Sequence, residues 1–147
     1  MMPDFESEVP SETVEQDLLE AESISDFLKT NRAYMIDRTL SKHLMLLLQQ
    51  KKLRRAAVVR DSGLEKAYVY QIFSGEKKPA RDKLIAIAFG LHLNSKETQR
   101  MLKLGGCSEL YARQTRDAII LFAIHRGISI GAANDLLYNY NYPTLLD

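Results

Sequence analysis

Basic side chains are concentrated in one segment of this chain, and their chemistry suits the binding of phosphate groups. Between Arg38 and Lys83, twelve lysines and arginines face four acids, which gives the segment a charge of +8. Residues 1–28 hold nine acids and no lysine or arginine, which gives them a charge of −9. The remaining residues therefore carry +10, and the two values sum to the net charge of +1. Such separation predicts a polyanionic partner for the basic segment. The alternative is that these bases only solvate exposed helix faces.

Two short helical patterns inside the basic segment must position these side chains. The first pattern is made of small and apolar residues at helical intervals, namely Ala56, Val58, Val59 and Ser62. Gly63 follows, and glycine can adopt the positive φ that ends one helix and turns the chain. We therefore predict a helix that ends at Ser62 and a tight turn after it.

The second helix has an apolar face, and polar residues lie on its other sides. Val69, Ile72 and Phe73 have the spacing i, i+3, i+4 of a buried helix face. The residues that fall on the other sides are free to meet a partner, and they are Glu65, Lys66, Tyr68 and Gln71. Gly75 ends this helix, and Lys77-Lys78-Pro79 forms a basic connector. Two helices joined by a glycine turn are the usual form of a helix-turn-helix.

The motif resembles the lambda-repressor-like (Xre/Cro type) helix-turn-helix family. The matching residues are Leu53-Arg54-Arg55, Val58-Val59, Gly63-Leu64, Val69-Tyr70-Gln71-Ile72, Gly75 and Pro79. With flanking helices the resemblance covers Leu40 to Leu93, and the longer string AYVYQIFSGEKKPARDKL is similar to small bacterial regulators with extra helices on both sides. Two residues depart from the family pattern. Val59 stands where the family usually has alanine, and Phe73, which indicates extra apolar packing, stands where it usually has glutamate.

The resemblance implies DNA base contacts from one helix. Lys66, Ala67 and Gln71 match the positions that face base edges, so we expect Lys66 to contact guanine and Ala67 to contact a thymine methyl. For Gln71 we expect adenine or a neighbouring phosphate. The expected backbone contacts are Arg54 and Arg55 at a helix N-terminus, the hydroxyls of Tyr68 and Tyr70, and the side chains of Lys77, Lys78 and Arg81. For Tyr70, packing in the core is an equal alternative.

Composition predicts an all-α protein, a compact multi-helix bundle around a five-helix motif of this type. At 147 residues and 46% apolar content the chain can bury one core, and alternating β-branched runs are scarce. We predict an acidic flexible leader over residues 1–10, accessory helices over 11–39, the DNA-binding domain over 40–104 and a helical hairpin over 105–147. Further helices are predicted at Ser11–Ala21, Ser23–Arg32, Leu40–Lys52, Ala80–Leu91, Asn94–Leu104, Thr115–Arg126 and Ser129–Asn139.

Apolar residues predict the contacts that these helices make. In the first two helices the expected contacts are Val14, Leu18, Leu19, Ile24, Phe27 and Leu28, and in Ala80–Leu91 they are Leu84, Ile87, Ala88 and Leu91. Residues 44–48 place apolar groups nearly all round the helix Leu40–Lys52, so we expect the motif helices and the N-terminal segment to cover it on more than one side. Residues 94–97 resemble a capping box at the start of the helix Asn94–Leu104.

Several features narrow the class of protein. No signal peptide or membrane span is indicated, so we expect a cytoplasmic protein. His43, His92 and His125 lie far apart without carboxylates or cysteine at metal-ligand spacing, and no nucleophile motif or glycine-rich phosphate loop is present. We therefore predict no enzyme activity, no metal and no cofactor. Tyr138, Tyr140 and Tyr142 are predicted to pack the last helix and its tail, and the alternative is that they stack on a ligand or on bases.

Two functions remain open. The first is a sequence-specific DNA-binding transcriptional regulator that binds double-stranded DNA, with a homodimer placing two recognition helices roughly 34 Å apart. The second is a protein-interaction adaptor that retains the helical scaffold and binds a protein partner through its flanking helices or its acidic leader.

Overall fold

The computed structural model describes residues 11–31 and 39–146, and every regular element in these ranges is an α-helix. The helices are α1 (Ser11–Glu20), α2 (Ile24–Asn31), α3 (Leu40–Gln50), α4 (Arg55–Ser62), α5 (Lys66–Ser74), α6 (Arg81–Gly90), α7 (Ser95–Leu104), α8 (Thr115–Arg126) and α9 (Ile130–Asn139). The all-α prediction is confirmed. The predicted leader over residues 1–10 lies outside the described residues, and so do Arg32 and Arg38. None of the described helices is long and apolar enough to cross a membrane.

The chain divides into two compact units, residues 1–37 and 38–147. In the first unit, α1 packs on α2, and Asn31 donates its side-chain N–H to the carbonyl of Phe27 at 3.1 Å. Phe27 is buried as predicted, but four other predicted apolar contacts are exposed: Leu18, Leu19, Ile24 and Leu28. The pattern located these helices correctly and overestimated how much of their apolar surface is covered.

The second unit is built around α6. Residues 84–91 are all buried, so apolar groups on every side of α6 are covered, whereas the sequence predicted only Leu84, Ile87, Ala88 and Leu91 to face inward. Both α4 and α7 pack on this helix. At Gly90, an added Cβ would lie 2.8 Å from the carbonyl oxygen of Val58 and 3.0 Å from Cβ of Ser62. The close crossing of α4 and α6 therefore requires glycine at this position.

Helix α3 is covered less completely than its run of apolar residues indicates. Leu44, Leu47 and Leu48 are buried, and α3 packs on α5 and on α7. Its contacts with two helices agree with the prediction that α3 is covered on more than one side, but Met45 is 39% exposed and Leu46 is half-buried. The fully enclosed helix of this unit is α6 instead.

Local end signals place α7 as the sequence predicts. The side chain of Asn94 accepts from the Glu97 N–H at 2.8 Å, and the Glu97 carboxylate accepts from the Asn94 N–H at 3.0 Å. This reciprocal capping box satisfies two N–H groups that a helix start otherwise leaves free. His92 lies in the turn before α7 with φ 54°, and its Nε2 is 2.9 Å from the Asp61 carboxylate.

Helices α8 and α9 pack against each other and are followed by an ordered tail. Ile120, Ala123 and Ile124 form the buried side of α8, while Phe122 is 50% exposed beneath the Arg126 guanidinium. Among the three closing tyrosines, only Tyr142 packs against the core. Tyr138 and Tyr140 are 74% and 63% exposed, so the prediction that they pack the last helix is wrong.

Candidate nucleic-acid interface

The turn between α4 and α5 depends on a glycine conformation, on hydrogen bonds of one serine and on a contact from the tail. Gly63 ends α4 with φ 72°, in the left-handed region that side chains with a Cβ rarely adopt. The Ser62 hydroxyl donates to the Val59 carbonyl at 3.3 Å and accepts from the Leu64 N–H at 3.2 Å. Leu146 from the tail lies over the glycine, since a Cβ there would be 2.6 Å from Leu146 Cδ1. These contacts fix the direction in which α5 leaves the turn.

Helix α5 has one buried face and one exposed face. Val69, Ile72 and Phe73 are buried as predicted, at 0 to 3% exposure. Ala67 and Ser74 are exposed and Gln71 is half-buried, and their spacing of i, i+4 and i+7 puts all three on the side opposite the core. Ser74 was not among the predicted contacts, although its helical spacing from Ala67 indicates this face.

The Gln71 side chain is available to a partner. Its backbone carbonyl accepts from Ser74 Oγ at 3.1 Å and from the Lys77 N–H at 3.2 Å. Its side-chain amide makes no hydrogen bond to any residue in the described ranges. An amide on an exposed helix face can donate and accept at once, which is the pattern that matches an adenine edge.

Aromatic rings bring the cations around α5 together. The Arg55 guanidinium carbon lies 4.9 Å from the centre of the Tyr70 ring, and Lys66 Nζ lies 5.7 Å from the same ring. Lys77 Nζ lies 5.8 Å from the centre of the Tyr68 ring. Burial raises the pKa of Tyr68 above its ordinary value of 10.0, so this side chain stays a neutral hydroxyl donor.

Four of the cations predicted to contact phosphates, together with the predicted guanine contact Lys66, keep their charges exposed. These residues are Arg54, Arg55, Lys66, Lys77 and Lys78. Within residues 11–31 and 39–146, none of the five has a carboxylate within 4.0 Å. Hydrogen bonds from Arg60 and then His92 lower the pKa of Asp61 to about 2, so the carboxylate of this α4 residue is already engaged by those two side chains.

Arg54 and Lys78 do not take part in the ring contacts described for Arg55, Lys66 and Lys77. Arg54 is the N-cap residue of α4 and has no side-chain capping bond. Lys78 extends toward the end of α7, where its Nζ is 3.2 Å from the place that a Cβ of Gly106 would occupy. The structure therefore gathers Arg55, Lys66 and Lys77 beside α5 and places Lys78 at a separate point.

Arg81 is committed to the interior of the second unit. Its two terminal nitrogens donate to the Asp117 carboxylate at 3.2 and 2.9 Å. Two further N–H groups donate to the carbonyls of Ser108 at 3.0 Å and Glu109 at 2.9 Å. Because four of its five N–H donors have protein partners, little of this guanidinium remains for a phosphate.

Arg116 forms the second of two ion pairs that join α6 to α8. Arg116 donates to both carboxylate oxygens of Asp82 at 3.0 and 3.1 Å, and also to the carbonyls of Pro143 and Thr144 in the tail. The dipeptide Arg-Asp thus occurs near the start of both helices, and each arginine binds the aspartate of the other dipeptide. The repeated dipeptide is the sequence signal for this pairing, although an acid in a first helical turn also has a local explanation.

Metal chemistry has no support in the part of the chain that the structure describes, because no three His, Cys, Asp or Glu side chains there could hold a metal ion. The described surface is instead one of helix N-termini, tyrosine rings and unpaired cations around α5. No protein-family model, curated protein or solved structure matches this chain.

Proposed function

We propose that this chain is a sequence-specific, DNA-binding transcriptional regulator of the lambda-repressor-like helix-turn-helix type, with α5 in the major groove. The observation that carries the proposal is the outward side of α5, where Ala67 and Gln71 stand between cations that lack carboxylate partners among the described residues. The major groove of DNA admits an α-helix that presents such a face. A homodimer would place two such helices roughly 34 Å apart.

Each residue on this surface has a distinct role in the proposal. Lys66 contacts guanine, Ala67 contacts a thymine methyl, and Gln71 reads adenine or binds a neighbouring phosphate. Phosphates lie along Arg54 and Arg55 at the N-terminus of α4, where free N–H groups and the helix dipole add to the side-chain charge. Lys77, Lys78 and the Tyr68 hydroxyl bind the backbone on the other side. We leave Arg81 out of this surface because Asp117 and two carbonyls occupy it.

Sequence selection from random duplex DNA tests the proposal directly. The full chain is mixed with a random-sequence pool at low and moderate salt, and bound duplexes are recovered and sequenced. A regulator enriches a defined motif and loses affinity as salt increases. Binding without an enriched motif, or no binding at low salt, contradicts the proposed function.

Gln71→Ala is expected to reduce sequence discrimination at one or two base pairs. If the amide binds adenine through two hydrogen bonds, its loss costs about 1 to 3 kcal/mol at that position and much less elsewhere. The measurement compares affinities for the selected duplex and for single-base variants. Gln49→Ala, an exposed glutamine on α3, serves as the matched control and should leave the preference unchanged. An unchanged preference in the Gln71 variant would contradict the orientation proposed for α5.

Arg55→Ala is expected to weaken binding to all DNA sequences together. One phosphate contact is lost, so the slope of log affinity against log salt should flatten by about one unit. Arg113→Ala, at an exposed arginine between α7 and α8, is the matched control and should not change the slope. Arg81→Ala should lower stability and also keep the slope, and a flatter slope in that variant would return Arg81 to the DNA surface.

The adaptor remains a second candidate because of one observation. Tyr138 and Tyr140 are largely exposed at the end of α9 and just after it, and exposed aromatic side chains are common at protein interfaces. An adaptor that binds through this end of the hairpin enriches no DNA motif. It also loses its protein partner when both tyrosines are replaced by serine, whereas a regulator that uses only α5 keeps its DNA preference.

A further inference from the structure

The Tyr70 ring is approached by cationic side chains from two different helices. Arg55 is the first residue of α4 and Lys66 is the first residue of α5, and both cationic groups lie within 6 Å of the centre of the Tyr70 ring. Lys66 and Tyr70 are four residues apart on α5, so they share a side of the helix. Arg55 comes from a different helix and reaches the same ring. We propose that Tyr70 is a positioning residue that holds Arg55 in place for the DNA backbone and Lys66 in place for a base edge, an inference that rests on the proposed function.

The ring face explains how these two cations are kept close. Two positive side chains near one another repel, and no carboxylate of the described residues lies within 4.0 Å of either. The face of an aromatic ring carries partial negative charge and attracts a cation placed above it. Tyr70 thus offsets part of the repulsion without neutralising either charge, and both cations stay able to bind DNA.

Positioning matters because lysine and arginine side chains are flexible. A side chain that is ordered only on binding loses conformational entropy, and this loss weakens the complex. A cation already held above a ring loses less. The number of cations that meet the DNA is the same with or without the ring, so positioning should change affinity and leave the salt dependence unaltered.

The geometry separates this role from the hydroxyl contact that the sequence predicts for Tyr70. The side chain is half-buried and packs against the hydrophobic core, and the cations approach its ring rather than its oxygen. A phenylalanine ring also attracts cations through its face. Removal of the hydroxyl alone should therefore preserve a positioning role and abolish a hydroxyl contact.

The experiment measures the affinity of the full chain for a random-sequence DNA duplex over a range of salt concentrations. Tyr70→Phe is expected to bind within about twofold of the unsubstituted chain, and Tyr70→Leu about five- to tenfold more weakly with the same salt slope. In a chain that already carries Arg55→Ala and Lys66→Ala, Tyr70→Leu should cause no further loss. Tyr138→Leu controls for the loss of an exposed tyrosine. Thermal melting checks each variant, and Tyr70→Met repeats the test with another apolar side chain.

Three results would overturn the inference. A loss in Tyr70→Phe as large as that in Tyr70→Leu would assign the hydroxyl, and not the ring, to the DNA. Unchanged affinity in both Tyr70→Leu and Tyr70→Met would remove Tyr70 from the interface while the proposed function stands. If the unsubstituted chain does not bind DNA at low salt, the proposed function fails and the positioning role fails with it.

Discussion

Asp117→Ala is expected to destabilise the second unit by about 3 kcal/mol, because it breaks a buried ion pair. This value is the lower end of the range for such pairs, and we choose it because the Arg81 side chain is a quarter exposed. Asp117 itself is 3% exposed and accepts hydrogen bonds from two Arg81 nitrogens and from the Tyr111 N–H at 2.9 Å. Its removal leaves the guanidinium without its carboxylate and the N–H without an acceptor. Chemical denaturation monitored by circular dichroism measures the change in the free energy of unfolding.

The pH dependence of this effect follows from the pKa of Asp117. Burial raises the pKa of Asp117. The hydrogen bonds from Arg81 and Tyr111 and the charges of Arg81 and Arg116 lower it by more, so the pKa lies below its ordinary value of 3.8. A carboxyl with a lowered pKa stabilises the fold above its unfolded pKa and loses this contribution as pH falls through the folded value. The difference between Asp117→Ala and the unsubstituted chain should therefore be full near neutral pH and shrink below about pH 4.

Asp135→Ala is the matched control, since Asp135 is an exposed aspartate on α9. Its free energy of unfolding should change by less than about 0.5 kcal/mol. A loss below about 1 kcal/mol in Asp117→Ala would mean that water compensates the released groups, and the crossed pairs between α6 and α8 would then contribute little.

Gly90→Ala is expected to destabilise the fold, although the same change in most helices stabilises them. An added Cβ would lie 2.8 Å from the Val58 carbonyl oxygen and 2.9 Å from Val58 Cγ1. Backbone atoms cannot move aside as a flexible side chain can, so α4 and α6 must separate and lose packing. The expected cost is about 1 to 3 kcal/mol, the range for an overfilled core.

Gly131→Ala is the matched control for the intrinsic helix preference. Gly131 is exposed on α9, and an added Cβ there meets only the Ser129 hydroxyl at 3.8 Å. Alanine should stabilise this helix by about 0.5 kcal/mol. Thermal and chemical unfolding of both variants should give opposite signs. Stabilisation in both would show that the crossing of α4 and α6 tolerates a methyl group.

The positions and ends of the helices could be predicted because their signals act over a few residues. The glycine at 63 and the capping box at Asn94 each determine backbone geometry within one turn, and both lie where they were predicted. The two faces of α5 follow in the same way from a period of 3.6 residues. Predicted helix boundaries agree with the structure to within two residues for this reason.

The degree of burial could not be predicted from the same signals. Helices α3 and α6 both carry apolar residues on several sides, but α6 is enclosed and α3 leaves Met45 exposed. Periodicity describes a helix alone, whereas enclosure depends on how many other helices pack on it. The exposed Tyr138 and Tyr140 have the same explanation: apolar character does not ensure that a neighbour is available to cover it.

By itself the sequence determined an all-α chain with a tight turn at Gly63 and an exposed polar face on α5. Only the tertiary structure decided which cations remain free. Arg55 and Arg81 are equivalent in the sequence, as basic residues at the first position of a helix, but Tyr70 lies near one and Asp117 binds the other. Those partners are 15 and 36 residues away along the chain. Contacts of this kind depend on how separate helices pack, and no local pattern encodes that packing.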